Sequence, residues 1–246
     1  MSLLVAASAA ILGIGAVVAA SAREGRVAVL GLAVVLVAAP LVMDPLPSVT
    51  VLAIRLTGSV LAAYLIHAAL RSEPSTLGTH LGWPVQALAA IAAGVVGFGI
   101  AAEAALGLVG LGAETDPAGG ATVVYRPAAL ALHLGVAAGA ATIVLSIEPI
   151  VAARDSLRLG IGLLLALTGL TVIREALVGP AGGLEHIVIA ATIAAIAAAT
   201  AVVCLGATAS GDGLALTRIP RSIRARRPGL RQPLPLGPEE DRGDPP

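Results

Sequence analysis

Residues 187–207 read IVIAATIAAIAAATAVVCLGA, a run of 21 residues without one charge. At 1.5 Å of rise per residue such a helix is about 30 Å long, the thickness of a bilayer's hydrocarbon core. The same signature recurs at residues 2–22, 27–43, 48–70, 85–111, 127–147 and 157–173. Each run is continuous rather than alternating, so helices are expected and not the strands of a membrane barrel. The expected fold is an all-α membrane protein with seven transmembrane helices. The second and sixth runs are short, and the fourth is long enough to tilt.

Composition points the same way. Hydrophobic residues make up 57% of the 246-residue chain and charged residues 12%, with a mean hydropathy of +0.96. A soluble domain carries roughly 25% charged residues, so a soluble globular enzyme is excluded. Net charge is zero, and all 15 basic residues are arginine. The single cysteine, Cys204, rules out an intramolecular disulfide and reads as a small packing residue.

The arginines set the orientation. Alternating across seven spans, one side collects Arg23, Arg26, Arg71, Arg154, Arg158 and six more between Arg218 and Arg231, the other only Arg126 and Arg174. This places the chain in the cell inner (plasma) membrane with its N-terminus outside and its C-terminus cytoplasmic. Ala20-Ser21-Ala22 mimics a signal-peptidase site, but no basic segment precedes it and the apolar run is too long for a leader. Trp83 and Tyr125 suit interface anchors. Residues 208–246, rich in Pro, Gly and Arg, read as a disordered cytoplasmic tail. Its Arg221, Arg224, Arg226 and Arg227 suit either contact with anionic lipid or docking onto a partner subunit.

The first three runs and the last three share a layout. An apolar helix leads to an arginine turn, Arg23–Arg26 or Arg154–Arg158, and then to a Gly-Leu helix, Gly31-Leu32 or Gly162-Leu163. An outside loop and a small-residue helix complete each unit. Three spans reverse the side, so a fourth must return the chain before the unit repeats in the same orientation. The expected organisation is a first three-helix unit (1–70), a linking helix with its loops (71–126), a second unit (127–207) and the tail (208–246).

Asp44-Pro45-Leu46-Pro47, followed by Val51-Leu52 and Gly58, resembles the loop and third-helix start of the C subunit of multisubunit sodium/proton antiporters, a relative of the K subunit (chain 4L) of complex I. Residues 157–163, LRLGIGL, resemble the second-helix start of the same family. In length the chain is most similar to the E-type membrane component of group 4 hydrogenases, a tandem relative. The resemblance spans about residues 5–70 and 135–207. It implies a place among antiporter-like subunits of an ion-translocating complex. One departure stands out: complex I K subunits carry a glutamate just after the second-helix Gly-Leu, where this chain has Ala33 and Leu164, and neither third helix holds a carboxylate. The family's proton-transfer residues are therefore missing.

Ionisable groups at membrane depth are costly and are functional candidates by default. Counted at 1.5 Å per residue, Arg55, Glu103 and His133 each lie about 9–12 Å below the outer ends of their runs. Two readings fit: a structural Arg55–Glu103 ion pair between antiparallel helices, or a short relay of Glu103, His133 and Arg55. Glu148, before Pro149, is expected to face cytoplasmic water where the fifth span ends. Arg174-Glu175 and Glu185-His186 bracket the last outside loop as a solvated ion pair. No phosphate-binding, nucleophile, metal or dinucleotide motif is present, so no cofactor and no nucleic-acid partner is expected. The expected partners are membrane lipid and other subunits of a multisubunit complex. The functional expectation is a non-catalytic membrane subunit that braces antiporter-like neighbours. A stand-alone small ion transporter or channel with a polar layer at Arg55, Glu103 and His133, or a membrane scaffold, is the alternative.

Overall fold

A computed structural model of the chain describes residues 2–43, 46–71, 83–108, 127–151, 155–179 and 181–209. Among these the structure is all helix, with no strand: α1 (Ser2–Ser21), α2 (Gly25–Ala38, prolonged by a 3₁₀ turn at Ala39–Leu41), α3 (Val49–Ala69), α4 (Trp83–Leu108), α5 (Pro127–Val151), α6 (Ser156–Val178) and α7 (Gly183–Ala209). Six of them are long and apolar enough to cross a membrane, which marks a multi-pass membrane protein. The exception is α2, 14 residues plus a three-residue turn. Pro40 inside that turn supplies no backbone donor, which limits how far the α-helix runs.

Three boundaries differ by four or more residues from the sequence expectation: the ends of α5 and α6, and the start of α7, which begins at Gly183 and takes Glu185 and His186 into its first turn. The sixth helix is not short: it runs 23 residues to Val178. Its stop is Gly179, whose positive φ of 93° suits glycine and whose N–H reaches the Glu175 carbonyl at 3.0 Å. The fifth helix does not end at Glu148, because Pro149 lies within it and the helix continues to Val151. Only two helical residues follow the proline, so the missing hydrogen bond falls in the last turn of the helix.

Helices α1, α2, α5 and α6 form the centre, with Leu12, Leu32, Leu157, Ile161, Leu164 and Leu165 fully enclosed between them. The third helix packs against α7 and α2, whereas α4 lies on the opposite flank against α5 and α1. Glycines set the closest approaches. A Cβ on Gly31 would sit 2.6 Å from the Ala19 nitrogen and 2.9 Å from the Gly15 oxygen, and one on Gly162 would sit 3.1 Å from the Ile150 nitrogen and 3.2 Å from the Ser146 oxygen. Every member of the second set lies 131 residues after its counterpart in the first. The same spacing separates Glu24 from Asp155, the extended N-cap residues of α2 and α6. It also pairs the packing, since α1 touches α5, α2 touches α6 and α3 touches α7. The chain further divides into residues 1–216 and 217–246, and the second unit lies outside the described residues.

Candidate functional site

Two buried charges meet where α3 and α7 begin and α6 ends. Arg55, in the second turn of α3, is only 4% exposed. Its Nη1 donates to both carboxylate oxygens of Glu175, at 2.5 and 2.7 Å. The Glu175 side chain is fully buried. His186, in the first turn of α7, turns Nδ1 toward Glu175 Oε1 at 3.6 Å, beyond hydrogen-bond distance, and that nitrogen has no hydrogen-bond partner among the described residues. The position of His186 is 131 residues after that of Arg55, the spacing already seen at the glycine contacts. At this spacing the two residues stand at matching places on α3 and α7, which approach closely at Gly58 and Ala190.

Local geometry explains why Glu175 turns inward. Consecutive helical residues point about 100° apart, so Arg174 and Glu175 cannot share a face. Arg174 faces outward, donating to Glu185 at 2.7 Å and to the Gly179 carbonyl at 3.0 Å. Glu175 faces the core. Glu185 and His186 divide in the same way on α7. Two links therefore join α6 to α7, a half-exposed Arg174–Glu185 pair and a dry Arg55–Glu175–His186 cluster. The solvated pair expected at this loop is present, but Glu175 and His186 do not belong to it.

The Arg55–Glu103 pair is not formed. Glu103 lies exposed on α4, which packs on α5 and α1, while Arg55 sits on α3 against α7 and α2. Neighbours in sequence are not neighbours in space here, because α4 occupies the opposite flank. His133 is buried in α5 with Nε2 unpartnered, and the structure does not join it to Arg55 or Glu103. The equal depths counted for these residues were a match along the membrane normal, which carries no lateral information.

A second polar cluster lies at the other end of the bundle. Glu148 Oε1 accepts from Gln86 Nε2 at 2.7 Å and from Arg158 Nη1 at 3.2 Å. Arg158 Nη2 reaches the Ala22 carbonyl at 3.5 Å. Glu148 was expected to face cytoplasmic water; its side chain is 40% exposed and also accepts from α4 and α6, while Arg158 carries the link on to the end of α1.

Between the clusters the polar groups are quiet. The hydroxyls of Thr142, Ser146, Thr168, Thr171 and Thr200 bond to carbonyls three or four residues back. Ser8 and Ser59 instead cross between helices, to the Leu41 and Leu36 carbonyls. Among the described residues no three His, Cys, Asp or Glu side chains converge as metal ligands. Cys204 is buried on α7, 3.6 Å from Ser156 Oγ. Asp44, Tyr125, Arg221, Arg224, Arg226 and Arg227 lie outside the described residues.

Compared with protein-family models, curated proteins and solved structures, the chain matches none. The resemblance to antiporter C and complex I K subunits therefore rests on the residues 44–47 loop and the Gly-Leu helix starts alone.

Proposed function

We propose that the chain is a non-catalytic integral membrane subunit of an ion-translocating oxidoreductase or antiporter complex, bracing larger antiporter-like subunits. The observation that carries this reading is the closure of the Arg55–Glu175 pair: both charges are buried and each neutralises the other. A conducting site needs an ionisable group that is free to change partners, whereas a sealed pair holds helices together. The positions where the resembling family carries a glutamate support the same reading, since Leu164 is a fully buried core residue and Ala33 a half-buried one.

In this account the chain crosses the inner membrane seven times, with α2 as a short span and the N-terminus outside. The recurring 131-residue spacing supports two three-helix units in parallel orientation, with α4 as the linking helix. The Arg55–Glu175–His186 cluster then lies near the outer face at the junction of the two units.

One observation favours a second reading, a stand-alone transporter. His186 Nδ1 is unpartnered and 3.6 Å from Glu175, as a proton-exchanging group would be. Proteoliposomes holding only the purified chain, under an imposed proton or sodium gradient, separate the two. The subunit reading expects fluxes equal to those of empty vesicles. A flux abolished by Glu175→Gln would overturn it and establish the transporter.

A further inference from the structure

An open groove of about 720 Å³ runs along the flank of the bundle between α1, α4 and α5. Its walls are apolar throughout, with Ile14 and Val18 from α1, Ile91 and Phe98 from α4, and Leu134 and Leu145 from α5. Along α1 it extends from Ala6 to Val18, about 18 Å at 1.5 Å per residue. One leaflet of a bilayer is about 15 Å deep, half of the roughly 30 Å hydrocarbon core. At about 30 Å³ for a group the size of water, the groove holds on the order of two dozen methylenes. Its length is that of one acyl chain in one leaflet, and its volume leaves room for such a chain.

The chain leaves this space unfilled at a cost. Cβ atoms built on Gly13 of α1 and Gly99 of α4, both lining the groove, would meet nothing within 4 Å. A glycine inside a helix is destabilising by roughly 0.5–1 kcal/mol relative to alanine. At Gly31 or Gly169 that cost is offset by close helix packing; at Gly13 and Gly99 no atom of the described residues offsets it.

The two ends of the groove differ in charge, with the exposed Glu103 about one turn beyond Gly99 at one of them. About one turn beyond Val18, α1 gives way to Arg23, Glu24 and Arg26, all exposed. Neither arginine has an ion-pair partner among the described residues. Glu148 at the same end is held by Arg158 and adds no net charge. Arg23, Glu24 and Arg26 together carry one net positive charge, with two guanidiniums that suit phosphate oxygens.

We infer that this groove is a lipid site: it takes one acyl chain of an anionic phospholipid, whose phosphate rests on Arg23 and Arg26. The apolar walls supply affinity and the arginine turn supplies the headgroup preference. Retention of such a lipid does not require partner subunits.

The test is native mass spectrometry of the purified full-length chain, offered phosphatidylglycerol or phosphatidylcholine with identical acyl chains. The wild type is expected to retain one phosphatidylglycerol with about fivefold preference, as befits one net basic charge at a membrane surface. The surface variant Arg23→Gln/Arg26→Gln should bind both lipids alike, and Gly13→Leu/Gly99→Leu should retain neither. An unchanged preference in the arginine variant, or undiminished retention in the glycine variant, overturns the site. So does a glycine variant that keeps its lipid but loses a co-purifying protein or a second copy, since the groove would then seat a helix.

Discussion

The buried ion pair gives the sharpest quantitative expectation. Replacing Glu175 by Gln leaves the Arg55 guanidinium 4% exposed with no counter-charge, and Arg55→Gln leaves the Glu175 carboxylate equally stranded. Breaking a buried pair by removing one partner costs about 3–5 kcal/mol, most of it the uncompensated charge that remains. Solvent screening does not reduce this, because neither side chain reaches water. The double variant removes both charges and keeps two amides able to bond, so its cost should be about 3 kcal/mol less than the sum of the singles. Coupling of about 3 kcal/mol is at the upper end for contacting residues. At about 2–4 °C per kcal/mol for a chain of this size, each single variant should lose at least about 6 °C in thermal midpoint. Unfolding in mild detergent, followed by circular dichroism for the four members of the cycle, gives the coupling directly. Glu103→Gln is the internal control and should change stability by no more than about 0.5 kcal/mol, as for an exposed site. Additive losses for Arg55 and Glu175, or a Glu103 variant as damaging as the Glu175 one, would refute the pairing.

Three further outcomes follow from the packing. Gly31→Ala should destabilise by about 1–3 kcal/mol, because its Cβ would lie 2.6 Å from a backbone nitrogen; Gly13→Ala should instead be neutral or stabilising by up to about 1 kcal/mol, and thermal unfolding ranks the two. Arg174→Gln should cost under about 1 kcal/mol and progressively less at high salt, since the Arg174–Glu185 pair is one-third or more exposed. The lone thiol of Cys204, buried on α7, should resist a maleimide in native micelles and label rapidly once SDS unfolds the bundle, which a mass shift reports.

Helix type, approximate number and most boundaries were legible because each long run satisfies a bilayer's length requirement by itself. Two of the misjudged ends had local signals of unequal strength. Gly179-Pro180 marks the true end of α6, and reading it as the stop moves Glu175 one turn inside the helix. Pro149 looked like a terminus, yet a proline in the last turn disrupts too little to end one. The site was only half readable. Arg55 stood out as an intramembrane charge, but its partner lies 120 residues away and its choice depends on lateral packing, which hydropathy does not encode. Glu175 was masked by Arg174 beside it, which forms the exposed pair that the sequence does suggest. The 131-residue spacing was hinted at by the Gly-Leu starts; its reach to Arg55 and His186 shows only when α3 and α7 are packed together.

The most direct measurement of the central claim is affinity purification of the tagged full-length chain in mild detergent, with mass spectrometry of every chain that accompanies it. Stoichiometric recovery with large antiporter-like membrane subunits is the expected result. Recovery of the chain alone, as a monomer or as copies of itself, would contradict it.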